Sequence, residues 1–255
     1  MNMALLEVKD LSIHFGGVKA VQNVSFDIDA GIVYAVIGPN GAGKTTLFNL
    51  ITGIYTPTSG SIELDGQPIA GKSPDVLAQR GVARTFQNLQ ICMNMSAIEN
   101  VMVGAHLRLD RNLLKAALRW PSLKARDRLL HTEAEELMRF VGLQDYLASC
   151  ADSMSYGALK RLEIARALAM KPRLLFLDEP AAGLNPKETL EVDALIRKVA
   201  DSGVTVVLVE HDMKMVMNLS DRILVLDYGH KLAEGTAAQV RRNPDVIAAY
   251  LGAHA

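Results

Sequence analysis

Nine residues, Gly38-Pro39-Asn40-Gly41-Ala42-Gly43-Lys44-Thr45-Thr46, combine three kinds of phosphate-handling group. The glycines let the backbone turn tightly and bring successive N–H groups onto one anion. Lys44 supplies a point charge for the outer phosphates, and Thr45 a hydroxyl for a magnesium ion. The spacing is G-x-x-x-x-G-K-T, a phosphate-binding loop. A solvated glycine turn is the bland alternative, and the flanks speak against it. Val33 to Ile37, just before, is a short apolar run of the kind that makes a buried parallel strand. The residues after the loop read as a helix whose positive end faces the phosphates.

A second signal is Leu174 to Glu179, LLFLDE: four apolar residues, then two carboxylates. Parallel strands deliver polar groups at their carboxyl ends, where the phosphate loop also sits. Asp178 would hold Mg²⁺ with Thr45, and Glu179 would polarise an attacking water. The bland reading is a helix cap or surface turn. His211 follows the apolar run Val204 to Val209, and Gln87 follows Val82 to Phe86. Taken singly, a strand-end histidine is more often structural and a glutamine an exposed amide. Their order along the chain raises both: phosphate loop, Gln87, Ser155-Tyr156-Gly157, Asp178-Glu179, His211. Phe15, upstream of the loop, is either a strand-end core residue or a ring that stacks on a purine.

The elements that must position these groups are an α/β frame. Leu5 to Phe15 and Val21 to Ile28 read as two strands of an antiparallel layer, separated by Gly16-Gly17. Gly60 to Leu64 is a further strand, and Asp65-Gly66 a hairpin signal. Ser73-Pro74 opens a short helix to Gln79. From Ser96 to about Ala151 strand signals give way to helical periodicity, as in Leu113-Leu114-Ala117-Leu118 and Leu129-Ala134-Leu137-Phe140-Val141, broken once at Trp120-Pro121. This is a helical lobe with a charged, solvated face. A long helix from Ala158 to Met170 follows. Arg173 to Leu177 is a buried strand. Asn185 caps a helix that has Pro186 in its first turn and runs to about Ala200. Met213 to Leu219 is a short helix, Arg222 to Leu226 and Lys231 to Glu234 are late strands around Tyr228-Gly229, and two helical pieces close the chain.

Composition excludes several classes. The 255 residues suit one large domain or a domain with an inserted lobe. Lys+Arg (27) nearly balance Asp+Glu (28), so no field calls for nucleic acid. Two distant cysteines, Cys92 and Cys150, offer no disulfide framework and read as small core hydrophobes. No apolar run approaches the ~18 residues of a membrane span, and the N-terminus lacks a signal-peptide core. The chain therefore reads as cytosolic, or as held at a membrane by a partner.

Over essentially its whole length the chain resembles the ATP-binding subunits of ABC transporters. GPNGAGKTT matches the phosphate loop and Gln87 in RTFQNL the Q-loop. Ser155-Tyr156-Gly157 in MSYGALKRLEIARAL matches the signature, and LLFLDEP the Walker B strand. Ala182-Gly183-Leu184-Asn185 matches the D-loop, and His211 in VEHDM the switch histidine. One departure is Ala158, where the signature usually has Gln. The resemblance implies a P-loop (RecA-like) core with an antiparallel β subdomain and an inserted α-helical subdomain. The core spans 1–91 and 172–255, the helical subdomain 92–171, and a C-terminal helical extension 236–255. It implies an ATP site of Phe15, Val18 and Gly38 to Thr46, with Ser155, Tyr156 and Gly157 meeting the ATP of a second subunit. Mg²⁺ falls to Thr45, Gln87 and Asp178, and catalysis to Glu179, His211, Lys44 and Gln87.

FGGVKAV, GVARTFQNLQ, PAAGLNPKET, EHDMKMVM and the ending NPDVIAAYLG resemble the larger ATPase subunit of branched-chain amino-acid importers. Urea or amide importers and lipopolysaccharide export share much of this pattern. A soluble, non-transport ABC ATPase is the remaining alternative. The implied partners are a second ATPase subunit (paralogue or self) in a head-to-tail dimer, two transmembrane permease subunits and, indirectly, a periplasmic binding protein. Leu89, Ile91 and Met93 are either contacts for the permease or lobe core. The implied place is the cytoplasmic face of a bacterial inner membrane, as a peripheral protein.

Overall fold

The computed structural model describes residues 4–108 and 121–252. The apolar run before the phosphate loop forms a strand, β3 (Val33–Ile37), buried at every residue. It pairs in parallel with β8 (Thr205–Val209) on one side and β9 (Arg222–Asp227) on the other. β7 (Leu174–Asp178) and β6 (Val82–Arg84) continue the sheet beyond β8 in parallel, and β10 (His230–Gly235) closes the far edge antiparallel to β9. The central strands are covered on both faces, which is why their sequences are continuously apolar rather than alternating.

A second sheet is wholly antiparallel. It contains β1 (Leu6–Phe15), β2 (Val18–Ile28), β4 (Ser59–Leu64) and β5 (Gln67–Pro68), in the order β2-β1-β4-β5. The Asp65-Gly66 turn has φ of 52° and 70°, the left-handed pair that a tight hairpin needs.

β3 divides two hydrophobic cores. Val33, Ala35 and Ile37 pack toward the helical lobe and the helices of the later chain, and Tyr34 and Val36 toward the antiparallel sheet and the helix that follows the phosphate loop. The helices are α1 (Lys44–Ile51), α2 (Pro74–Gln79), α3 (Ala97–Gly104), α4 (Pro121–Phe140) and α5 (Tyr156–Leu168), then α6 (Pro186–Asp201), α7 (Met213–Leu219), α8 (Ala237–Arg242) and α9 (Pro244–Gly252). α3, α4 and α5 build the helical lobe around Val101, Ala134, Met138 and Leu162. Its charges do more than face solvent. Glu133 of α4 binds Arg108, at 2.7 and 3.0 Å, and Lys171, at 2.8 Å, tying three segments together. These partners hold its carboxyl well down, at about 2. Leu113, Leu114, Ala117, Leu118 and Trp120 lie outside the described residues.

Three expectations need correction. Cys92 and Cys150 are exposed rather than core. They sit where the chain runs along the lobe surface beside α3, and Cys150 Sγ finds the Met93 carbonyl at 3.4 Å. β6 stops at Arg84, two residues short of Phe86; Thr85 N–H still donates to the Phe176 carbonyl at 2.9 Å, and beyond it the chain meets the helical lobe, where Lys160 of α5 donates to the Gln87 carbonyl at 3.3 Å. α5 begins at Tyr156 rather than Ala158, since Ser155 caps it by accepting from Ala158 N–H at 3.3 Å.

Candidate functional site

The phosphate loop bridges β3 and α1. Gly43 ends it at φ 100°, and a Cβ there would stand 2.6 Å from the Ala20 carbonyl of β2, so glycine meets both a backbone and a space requirement. Ala42 C=O accepts from Gly229 N–H at 3.0 Å, and Gly229 C=O in turn accepts from Gln22 N–H at 2.8 Å. The loop is thus fastened to the β9–β10 turn, and through it to β2. Lys44 is buried, and its ammonium donates to the carbonyls of Gly38 (2.7 Å) and Pro39 (3.0 Å). Burial lowers its pKa, against an opposing pull from Glu179.

A cleft of about 420 Å³ opens over the loop. Asn40 to Thr46 form its floor, Val18, Lys19 and Ala20 one wall, and Glu179, Val209, His211 and Tyr228 the other. Phe15 stands half exposed at the end of β1, its ring edge-on to Tyr55 with centroids 5.2 Å apart. The loop N–H groups and the open end of α1 favour an anion in this cleft.

Asp178 and Glu179 leave β7 in different directions. Glu179 has φ 50°, unusual for a non-glycine residue, and its N–H is anchored on the Val209 carbonyl at 3.0 Å. Its carboxylate accepts from His211 Nε2 at 3.1 Å and from Gln87 Nε2 at 2.9 Å. Gln87 thereby keeps its carbonyl oxygen for another contact. Asp178 faces Arg84, whose Nη2 lies 3.0 Å from Oδ2. Glu210, beside His211, is buried. It accepts from Ala181 N–H (2.8 Å) and His211 N–H (3.0 Å), joining the segment before the D-loop to the histidine. Burial raises its pKa, and those N–H groups oppose the rise.

The chain therefore gathers a phosphate loop, a strand-end carboxylate held by a histidine and a glutamine, and a second carboxylate behind it. An ABC transporter family model matches residues 21–182, and a branched-chain amino acid ATP-binding cassette transporter model matches residues 230–255. The chain belongs to the ABC transporter family. It is an ATP-binding cassette, the ATPase of that family. It is 47% identical to the high-affinity branched-chain amino acid transport ATP-binding protein BraF of Pseudomonas aeruginosa, with 99% of each chain covered. It is 46% identical to the corresponding LivG of Escherichia coli K12, again over 99% of each chain. The fold matches the crystal structure of the ADP conformation of MJ1267, an ATP-binding cassette of an ABC transporter. The TM-score is 0.85 and the identity 29%, covering 98% of this chain and 99% of that one.

In this ABC cassette, residues 38–46, Gln87, Glu179 and His211 converge on one place, with Val18 at its edge. Ser155, Tyr156 and Gly157 do not line the cleft. They stand at the start of α5 with the D-loop behind them: the Tyr156 ring lies over Gly183, and Glu188 of α6 backs Gly157. Ala158 is buried in the core under that turn. Leu89 and Ile91 are partly buried against the lobe core, whereas Phe86 and Met93 are exposed.

Several residues that the sequence reading missed belong to the constellation. Lys160 is buried and links Gln87 C=O to Glu179 C=O, at 3.3 and 3.5 Å. Glu163 and Arg166 grip the Gln90 backbone. Arg84 holds Asp178. A charged residue in an otherwise apolar run, such as Arg84 after Val82-Ala83, was the available signal. Among the described residues, no helix is long and apolar enough to cross a membrane.

Proposed function

We propose that this ABC ATPase powers a branched-chain amino-acid importer from the cytoplasmic face of a bacterial inner membrane. The observation that carries the reading is the match of residues 230–255 to the branched-chain model, with 47% identity to BraF beside it. The working unit is a head-to-tail dimer with itself or a paralogue, docked on two permease subunits that receive substrate from a periplasmic binding protein.

The geometry supports the following division of labour. Phe15 stacks on the adenine, while the loop amides and Lys44 take the phosphates. Ser155 and the Gly157 amide of one subunit close over the ATP of the other, since they belong to a helix start at which Ser155 and Tyr156 are exposed. Glu179 orients the attacking water. His211 and Gln87 hold its carboxylate, and His211 lies beside the charge that builds on the transferred phosphoryl group.

The oxygen donors present fit Mg²⁺: the Thr45 hydroxyl, the free Gln87 amide oxygen and the Asp178 carboxylate. Bound there, Mg²⁺ would neutralise charge on the outer phosphates. Gln87 also sits on the segment leading to exposed Phe86 and Met93, which suits it to carry motion to a permease.

Co-expression with candidate permease subunits and reconstitution in vesicles tests this reading. ATP-dependent uptake of labelled leucine, isoleucine and valine is the expected result. Uptake of urea or short amides in place of leucine, or no association with any permease, would overturn the substrate assignment.

A further inference from the structure

Arg84 occupies a place where a cation is costly. Its side chain and that of Asp178 are each only 9% exposed. Nη2 donates to Asp178 Oδ2 at 3.0 Å, and Nη1 donates to Asn49 Oδ1 at 2.7 Å and Thr52 Oγ1 at 2.9 Å. Asn49 lies on α1, the helix that grows from the phosphate loop, and Thr52 caps its end. The Phe48 and Phe86 rings lie 5.8 and 5.2 Å from the guanidinium carbon. One planar cation thus touches the phosphate-loop helix, the end of β7 and the strand that leads into the Q-loop. Three residues further on, Gln87 grips Glu179. The adjacent carboxylates at 178 and 179 are therefore held by two residues of one neighbouring segment.

A buried ion pair is weak evidence of stabilisation, because desolvation offsets the attraction. What a fork of N–H donors does supply is direction: with Oδ2 committed to Arg84, the rotation of the Asp178 carboxylate is set. We propose that Arg84 is a positioning residue for Asp178, holding one carboxylate oxygen so that the other faces the cation that accompanies ATP. The inference rests on Asp178 being the metal carboxylate. Lysine could reach Asp178 as a point charge but could not also keep the fixed geometry to Asn49 and Thr52.

The test is equilibrium binding of a fluorescent ATP analogue to the full chain, in saturating Mg²⁺ and in EDTA, with Mn²⁺ binding to the nucleotide complex followed by electron paramagnetic resonance. Arg84→Gln is expected to weaken binding about tenfold in Mg²⁺, as loss of an outer-shell partner does, with less than about twofold change in EDTA. Arg84→Lys should fall between it and wild type. Equal losses in both buffers would mark a purely structural role and overturn the proposal, as would no loss in either. Should Arg84→Gln fail to fold, Asn49→Ala releases one anchor while leaving Asp178 paired, and the same ratio is read on it. Asp178→Asn separates the two layers. If it leaves the benefit of Mg²⁺ intact, the metal reading of Asp178 fails. If it abolishes that benefit while Arg84→Gln retains it, the Arg84 proposal alone fails.

Discussion

His211 Nε2 lies 3.1 Å from Glu179 Oε1, and Gln87 occupies the other carboxylate oxygen at 2.9 Å. The carboxylate is thus held from two sides, on a backbone with φ 50° that turns it away from the direction of Asp178. Residues kept in sparsely populated backbone conformations collect at functional sites. Replacing Glu179 by Gln retains the shape and removes the base. ATP binding should stay within a few-fold of wild type, while phosphate release falls by roughly 100-fold or more, the range of a lost general base. The same variant should accumulate as an ATP-bound dimer on size-exclusion chromatography. Near-normal turnover would remove Glu179 from the role.

Lys44 is the buried cation of the phosphate loop. Lys44→Ala should weaken nucleotide binding itself by about tenfold or more, the worth of a charged hydrogen bond. Isothermal titration with ATP measures it. Unchanged affinity would show that the loop amides alone hold the phosphates.

Gly43 has φ 100° and no room for a Cβ beneath the Ala20 carbonyl. Gly43→Ala should cost about 1–3 kcal/mol from backbone strain, read as a lower urea midpoint, and it should abolish nucleotide binding. A variant that binds ATP normally would mean that the loop can relax away from β2.

Asp193 of α6 carries a pKa raised to about 6, first by burial and then by Asp212 and Glu210. The folded chain therefore binds more protons than the unfolded chain between about pH 4 and 6, and this group's contribution to stability grows as pH falls through that window. Above pH 6 the ionised carboxylate opposes folding. Asp193→Asn should raise the melting temperature at pH 8 by about 1–3 °C, a modest gain because the group is partly solvated. The gain should vanish near pH 4. An equal gain at both pH values would contradict the shift.

The frame was legible because its signals are local. Val33 to Ile37 had to be a buried strand, glycines had to make the loop, and Asn185-Pro186 had to start a helix. The structure pairs Asn185 with Glu188 in a capping box as well. The failures come from contacts distant in sequence. Nothing near Phe86 announces that Lys160, 73 residues beyond Gln87, will take the Gln87 carbonyl just past the end of the strand. Arg84 meets Asp178 across 94 residues: its charge in an apolar run marks the residue, and nothing beside it names the partner. The cysteines were misplaced for a related reason. Residue type suggested the interior, whereas the path of the chain around α3 put both on the surface.

β3 belongs to both cores, presenting Val33, Ala35 and Ile37 to one and Tyr34 and Val36 to the other. Opening it would expose both clusters at once, so its amides should exchange with deuterium only through global unfolding. The antiparallel sheet and the helical lobe each border one core and can open by themselves. The phosphate loop thus issues from a segment that both cores hold: opening of the helical lobe leaves its strand in place, whereas opening of the antiparallel sheet releases its contact with Ala20.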